Sequence, residues 1–193
     1  MDFTNLIQGA IGQQVVGSAA KQLGINESQA QTAVAAAVPF LLSALNKNAQ
    51  NGGAENISNA LNQHNGSILD DLSGFLGKGG NQQDGLGILG HILGNKQQNV
   101  EAAISQESGL NMQQVTQILA LVAPIVMAYL GKQKQSESLD SNGITGLLGG
   151  LVSGTSAKEG INLGGFEKLL DQDGNGKLGL SDAMGLLGGF FKK

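Results

Sequence analysis

The sequence predicts an all-α fold, a multihelical bundle built on an internal duplication, with a further helix–loop–helix at its C-terminal end. Three observations point there. Apolar residues recur at three- and four-residue spacing, the stripe of a helix that buries one face. No segment alternates with period two for long, and β-branched residues are sparse. The chain also repeats itself at an offset of 85 residues: Gly24-Ile25-Asn26 falls on Gly109-Leu110-Asn111, Gln29 on Gln114, Pro39 on Pro124, and Leu45-x-Lys47 on Leu130-x-Lys132.

The elements follow in order. A first helix is expected over 3–22, ending before Gly24. Asn26 with Gln29, and Asn111 with Gln114, have the Asn-x-x-Gln layout of a capping box opening a helix. Ala30, Val34, Val38, Leu41 and Leu45 then form one apolar stripe, and Val115, Leu119, Val122, Val126 and Leu130 form the matching one. Pro39 and Pro124 fall mid-pattern at the same place. A proline there removes a backbone hydrogen bond and kinks a helix at a cost of roughly 3 kcal/mol. Shorter helices are expected at 54–63, 67–76, 85–94 and 97–107, between polar or Gly-rich breaks at 46–53, 77–85, 132–143 and 153–162. The domain plan is a duplicated helical domain over 1–133, a linker with a Gly-rich helix over 134–162, and a helix–loop–helix over 163–193.

Within that last segment, Asp171, Asp173, Asn175 and Asp182 occupy positions 1, 3, 5 and 12 of a twelve-residue loop, with Gly176 at position 6. Hard divalent cations take six to eight oxygen ligands at about 2.3–2.6 Å, and this spacing converges oxygens on one ion. Lys177 offers its backbone carbonyl, Gly179 leaves a vertex to water, and Leu178 anchors the loop. The cofactor expected is calcium, held by Asp171, Asp173, Asn175, Lys177 and Asp182. Asp182 closes the cage with a side chain one methylene shorter than Glu, so the expected affinity is weak, about 10⁻⁵–10⁻³ M, with magnesium competing. The alternative for the same letters is an Asp/Asn/Gly turn that binds nothing. The loop resembles the EF-hand family, and its terminal Asp is closer to the dockerin variety.

A second resemblance lies in the helical body. Ile88-Leu89-Gly90-His91-Ile92-Leu93-Gly94, Val100-Glu101, Ser108-Gly109-Leu110 and the Pro124 helix look like the YidB-like family of bacterial proteins, most clearly over 84–132. It implies a compact, usually cytoplasmic multihelical domain with an internal duplication. The family is one of unknown function, so it carries no activity and no catalytic residues.

One hexad appears three times: Ile88–Leu93, then Leu147-Leu148-Gly149-Gly150-Leu151-Val152, then Leu186-Leu187-Gly188-Gly189-Phe190-Phe191. Each sets a glycine notch beside apolar ridges. Each Gly costs a helix about 1 kcal/mol against Ala, so packing must stabilise these segments, either on the chain's own core or on another chain.

Composition excludes several functions. The net charge is −4 with no basic run, and clustered Lys/Arg is what a nucleic-acid partner requires. There are 31 Gly and no Cys, which removes disulfides and thiolate chemistry. Charged residues are 13% of the chain, about half the usual share, so uncharged Gln, Asn and Ser do the solvating. The two most apolar runs, 33–42 and 118–130, are shorter than the ~18–20 residues that cross a bilayer and read as core helices. Met1-Asp2-Phe3-Thr4-Asn5 lacks the features of a secretory signal, so the expected location is the cytoplasm. His64 and His91 lie far apart in sequence, and His91 is expected to be a partly buried polar residue. Asp70 and Asp71 read as a solvated helix face. Gly85-x-Gly87-x-x-Gly90 fits a dinucleotide fingerprint by letters alone and lacks the strand that would give it meaning. No enzyme and no small-molecule substrate is expected. The leading expectation is a calcium-binding, non-enzymatic scaffold or protein-interaction module, with self-association open. The alternative is a membrane-active or envelope-associated protein using the Gly-rich apolar helices.

Overall fold

The structure, a computed structural model, describes residues 9–158 and the side chains of 9–154. Among these residues every regular element is helical. The helices are α1 (Ala10–Leu23), α2 (Glu27–Asn48), α3 (Ala54–Gln63), α4 (Ser67–Asp70), α5 (Leu72–Gly77), α6 (Gln82–Leu93), α7 (Gln97–Ser108), α8 (Met112–Ser136) and α9 (Ser141–Lys158). The chain divides into two compact units, Met1–Thr155 and Ser156–Lys193. The loop 171–182 and the hexad 186–191 lie outside the described residues.

The core is built on α2 and α8, which pack on each other. All ten residues of the two expected apolar stripes are buried, from Ala30 to Leu45 on α2 and from Val115 to Leu130 on α8. Each helix opens on its asparagine. The Asn26 side chain accepts from the Gln29 amide at 2.8 Å, and Asn111 accepts from the Gln114 amide at 2.9 Å. Gln114 returns the bond to the Asn111 amide at 3.1 Å, completing a capping box. Before each asparagine the preceding helix ends on a glycine in the left-handed region, Gly24 at φ 62° and Gly109 at φ 70°, where a Cβ is disfavoured. Replacing either cap asparagine by alanine should lower stability by about 1 kcal/mol. Urea melts of Asn26→Ala and Asn111→Ala check this; both lose the bond from the amide three residues on, and the return bond of the capping box is present at Asn111.

Several expectations need correction. The expected helix 67–76 is two, broken at Asp71 (φ −129°, ψ 57°). Asp70 and Asp71 are both exposed, as expected, but the break keeps them from sharing one helix face. The Asp71 carboxylate accepts from the Gly74 amide at 3.0 Å and caps α5, while Asp70 pairs with Lys132 at 2.9 Å. That ion pair is more than half exposed and screened by water, so its contribution is small. Helix α8 runs to Ser136, through the first part of the expected break at 132–143. Together with the turn and α3, α2 forms a helical stretch of 37 residues, and α8 has 25, so both are long and apolar enough to cross a membrane. Their most apolar windows are 67% and 83% buried inside the protein, which is how core helices use such residues.

Two glycines set how closely helices approach α8. A Cβ on Gly85 would sit 1.9 Å from the Ala120 carbonyl oxygen, and one on Gly131 would sit 1.8 Å from the His64 carbonyl oxygen. The Ala120 carbonyl is the one that loses its helical donor to Pro124, since proline has no N–H to give four residues on. The α-hydrogen of Gly85 occupies the space before it, the geometry of a weak Cα–H···O contact. The mid-helix proline and the α6 glycine therefore form one packing feature.

Of the hexads, Ile88, Leu89, Ile92 and Leu93 are all buried, as is Leu148 in the second copy. The aliphatic ridge of the first hexad docks on the chain's own core, while Leu147, Leu151 and Val152 of the second are half-buried. The notch reading fails for Gly90, which faces open space. The glycine that receives a neighbouring backbone is Gly85, just before the hexad.

Candidate functional site

Among the described residues a cleft of about 940 Å³ lies between α3 and α6, with further lining from the last turns of α2 and from α8. Its floor is apolar. Leu45 from α2, Ile57 from α3, Ile88 and Ile92 from α6, and Met127 from α8 are all buried beneath it. The helical period delivers these residues: Ile88 and Ile92 are one turn apart on α6.

The rim is polar and dominated by carboxamides. Asn51 lies in the kinked turn after α2, where Gly52 adopts φ 90° and swings the chain into α3. Asn56, Asn59 and Gln63 follow on α3, and Gln83 begins α6. All five are exposed, and among the described residues none of their side chains makes a hydrogen bond. Asn48 is different: its Nδ2 donates to the Ile92 carbonyl at 2.9 Å and ties the end of α2 to the end of α6. Gly87 contributes no side chain to the wall, and a Cβ there would meet nothing within 4 Å.

Both histidines of the chain line this cleft, although 27 positions separate them. His91 is exposed on α6, not partly buried as its hexad position implied. His64 ends α3 with its backbone against Gly131 and is half-buried. Asp84 is the one carboxylate on the lining, and no Lys or Arg lines it. Among the described residues no group of three or more His, Cys, Asp or Glu side chains is placed to hold a metal ion. Of the five residues expected to hold calcium, Asp171, Asp173, Asn175, Lys177 and Asp182, all lie outside the described residues. Sequence reasoning missed the cleft. The signal that could have found it is the run of asparagine and glutamine at 48–63, which the composition registered only as uncharged surface.

A second polar feature is a buried carboxylate. Glu101 on α7 accepts from Thr116 Oγ1 at 2.7 Å and from Gln97 Nε2 at 2.8 Å. It joins α7 to α8 and has both donors placed on one oxygen, which reads as a structural tie.

The described residues form an all-helical body with a mixed cleft, which defines a class by architecture only. The chain belongs to a family of bacterial proteins of unknown function (DUF937), whose model matches residues 5–133. No curated protein and no solved structure matches it.

Proposed function

We propose that this protein is a calcium-binding, non-enzymatic helical module that acts as a scaffold or protein-interaction unit in the cytoplasm and is capable of self-association. One observation carries the calcium reading. Asp171, Asp173, Asn175, Gly176 and Asp182 keep the spacing of a cation loop, with Lys177 supplying a backbone carbonyl. The donor set fits a hard ion. Three carboxylates, one carboxamide and one carbonyl are all oxygens, and they carry the negative charge that a divalent cation neutralises.

The body supports a scaffold reading through its economy. Its apolar stripes are spent on the α2–α8 core, and its surface is largely uncharged amide and hydroxyl. Within the wider family we read the chain as YidB-like, on Ile88–Leu93, Val100-Glu101 and the Pro124 helix. We also read 12–48 and 97–133 as copies of one unit. The paired asparagine caps, the paired left-handed glycines and the paired buried prolines support that reading.

The functional proposal is tested by limited proteolysis. Bound calcium stabilises the form it prefers by RT ln(1 + [L]/Kd), about 2.7 kcal/mol at a hundredfold excess over Kd. Calcium should therefore slow cleavage within 162–193 by roughly two orders of magnitude relative to chelator and leave 10–133 unchanged. Asp171→Ala should remove the difference. Identical digestion in calcium and chelator would reduce the loop to a turn.

A further inference from the structure

We propose that α3 is a hinged wall of the cleft, which swings away from α8 as one unit and is latched shut by Lys134. The inference goes beyond the scaffold reading and is independent of the calcium loop. It starts at the two ends of the helix. Gly52 before α3 has φ 90° and Gly66 after it has φ 93°, a backbone region that residues with a Cβ rarely adopt. A Cβ on Gly52 would meet nothing within 4 Å, so the chain can rotate there without disturbing a packed neighbour. Hinges are a few such positions that absorb a change of φ and ψ. The chain beyond each glycine is tied down. Upstream, Asn48 donates to the Ile92 carbonyl at 2.9 Å, and downstream Asp70 pairs with Lys132 at 2.9 Å.

The segment between the glycines is lightly anchored. Its helix packs chiefly on α8 and on the turn that leads into it. Three of its ten residues are buried, Ile57, Ser58 and Leu61, against fifteen of the 25 in α8. A segment with few buried contacts opens at a lower free energy than the core it rests on. The polar hold on it is concentrated in one side chain. Lys134 Nζ donates to the Ser58 carbonyl at 2.8 Å and to Asn62 Oδ1 at 2.5 Å. Bonds from an ammonium are stronger than neutral ones, and a cation beside the last turn of a helix also meets the negative end of its dipole. Swinging α3 outward breaks both bonds together, so Lys134 sets how often the wall opens. Ile57 leaves with the helix, and the apolar floor of Leu45, Ile88, Ile92 and Met127 is laid open.

The test is native-state hydrogen exchange of the full-length protein in chelator, read by NMR along a series of low urea concentrations. Amides 58–63 should share one opening free energy and one urea slope, both smaller than those of 118–130 in α8. In the absence of urea they should exchange at least about a hundredfold faster than the α8 amides. Lys134→Met keeps most of the stem and loses the donors, and should speed exchange at 58–63 by about tenfold, equivalent to 1.4 kcal/mol. Lys132→Met removes the neighbouring lysine, whose partner Asp70 lies beyond the hinge, and should leave 58–63 unchanged. Amides 58–63 that exchange only with global unfolding, that fray one by one without a urea slope, or that respond alike to the two lysine substitutions would each overturn the proposal.

Discussion

Gly85→Ala should destabilise the protein by about 3 kcal/mol or more, at the upper end of what single substitutions cost. The added methyl would lie 1.9 Å from the Ala120 carbonyl oxygen and within 3 Å of that residue's carbonyl carbon and Cα. All three are backbone atoms of α8, so no side chain can rotate away and the α6–α8 contact itself must open. That contact is the most extensive between any two helices of the described structure. The gain in helix propensity, about 1 kcal/mol, is too small to offset it. For a chain of this size the loss should lower the melting temperature by roughly 10 °C. Gly87→Ala is the internal control. It lies two residues along the same helix, gains the same propensity, and its methyl meets nothing within 4 Å, so its melting temperature should hold or rise. Thermal melts of the two variants side by side decide the matter. Equal behaviour would mean that the close approach at Gly85 does not exist.

The contrast between those glycines also marks how far the sequence could be read. Helix periodicity was legible because it is local: every stripe residue from Ala30 to Leu45 and from Val115 to Leu130 is buried. The asparagine caps were legible for the same reason, since the side chain bonds to an amide only three residues away. Which glycine of α6 meets a neighbour was not. Gly85, Gly87 and Gly90 look alike in sequence, and only the rotation of α6 against the Pro124 region of α8 separates them. The convergence of His64 and His91 was equally hidden, because it depends on the kink at Asn51 and Gly52 turning α3 alongside α6. Asp71 is surface charge, as expected, but its capping of α5 was hidden because that role depends on the chain breaking at that residue. The candidate calcium loop is the reverse case, a site written entirely in local spacing.

The second large effect concerns that loop. Asp182→Glu should tighten calcium binding by about tenfold, equivalent to 1.4 kcal/mol, and increase the preference for calcium over magnesium. The reason is reach. At the twelfth position a longer side chain brings both carboxylate oxygens to the ion, adding a ligand that calcium accommodates and the smaller, octahedral magnesium ion does not. Asp171→Ala removes a carboxylate from the first position and should lower affinity by at least as much in the opposite direction. Competition titrations with a calcium indicator, with and without magnesium, resolve both shifts. An Asp182→Glu variant with unchanged affinity would mean that position 182 does not contact the ion.

The account rests most heavily on calcium binding by the intact chain, and isothermal titration calorimetry of the wild-type protein measures it directly. The expected result is one site per chain with Kd between about 10⁻⁵ and 10⁻³ M, lost in Asp171→Ala while the helical circular dichroism of the body is unchanged. An absence of binding heat at millimolar calcium, at two temperatures so that a zero-enthalpy crossing is not mistaken for silence, would contradict it.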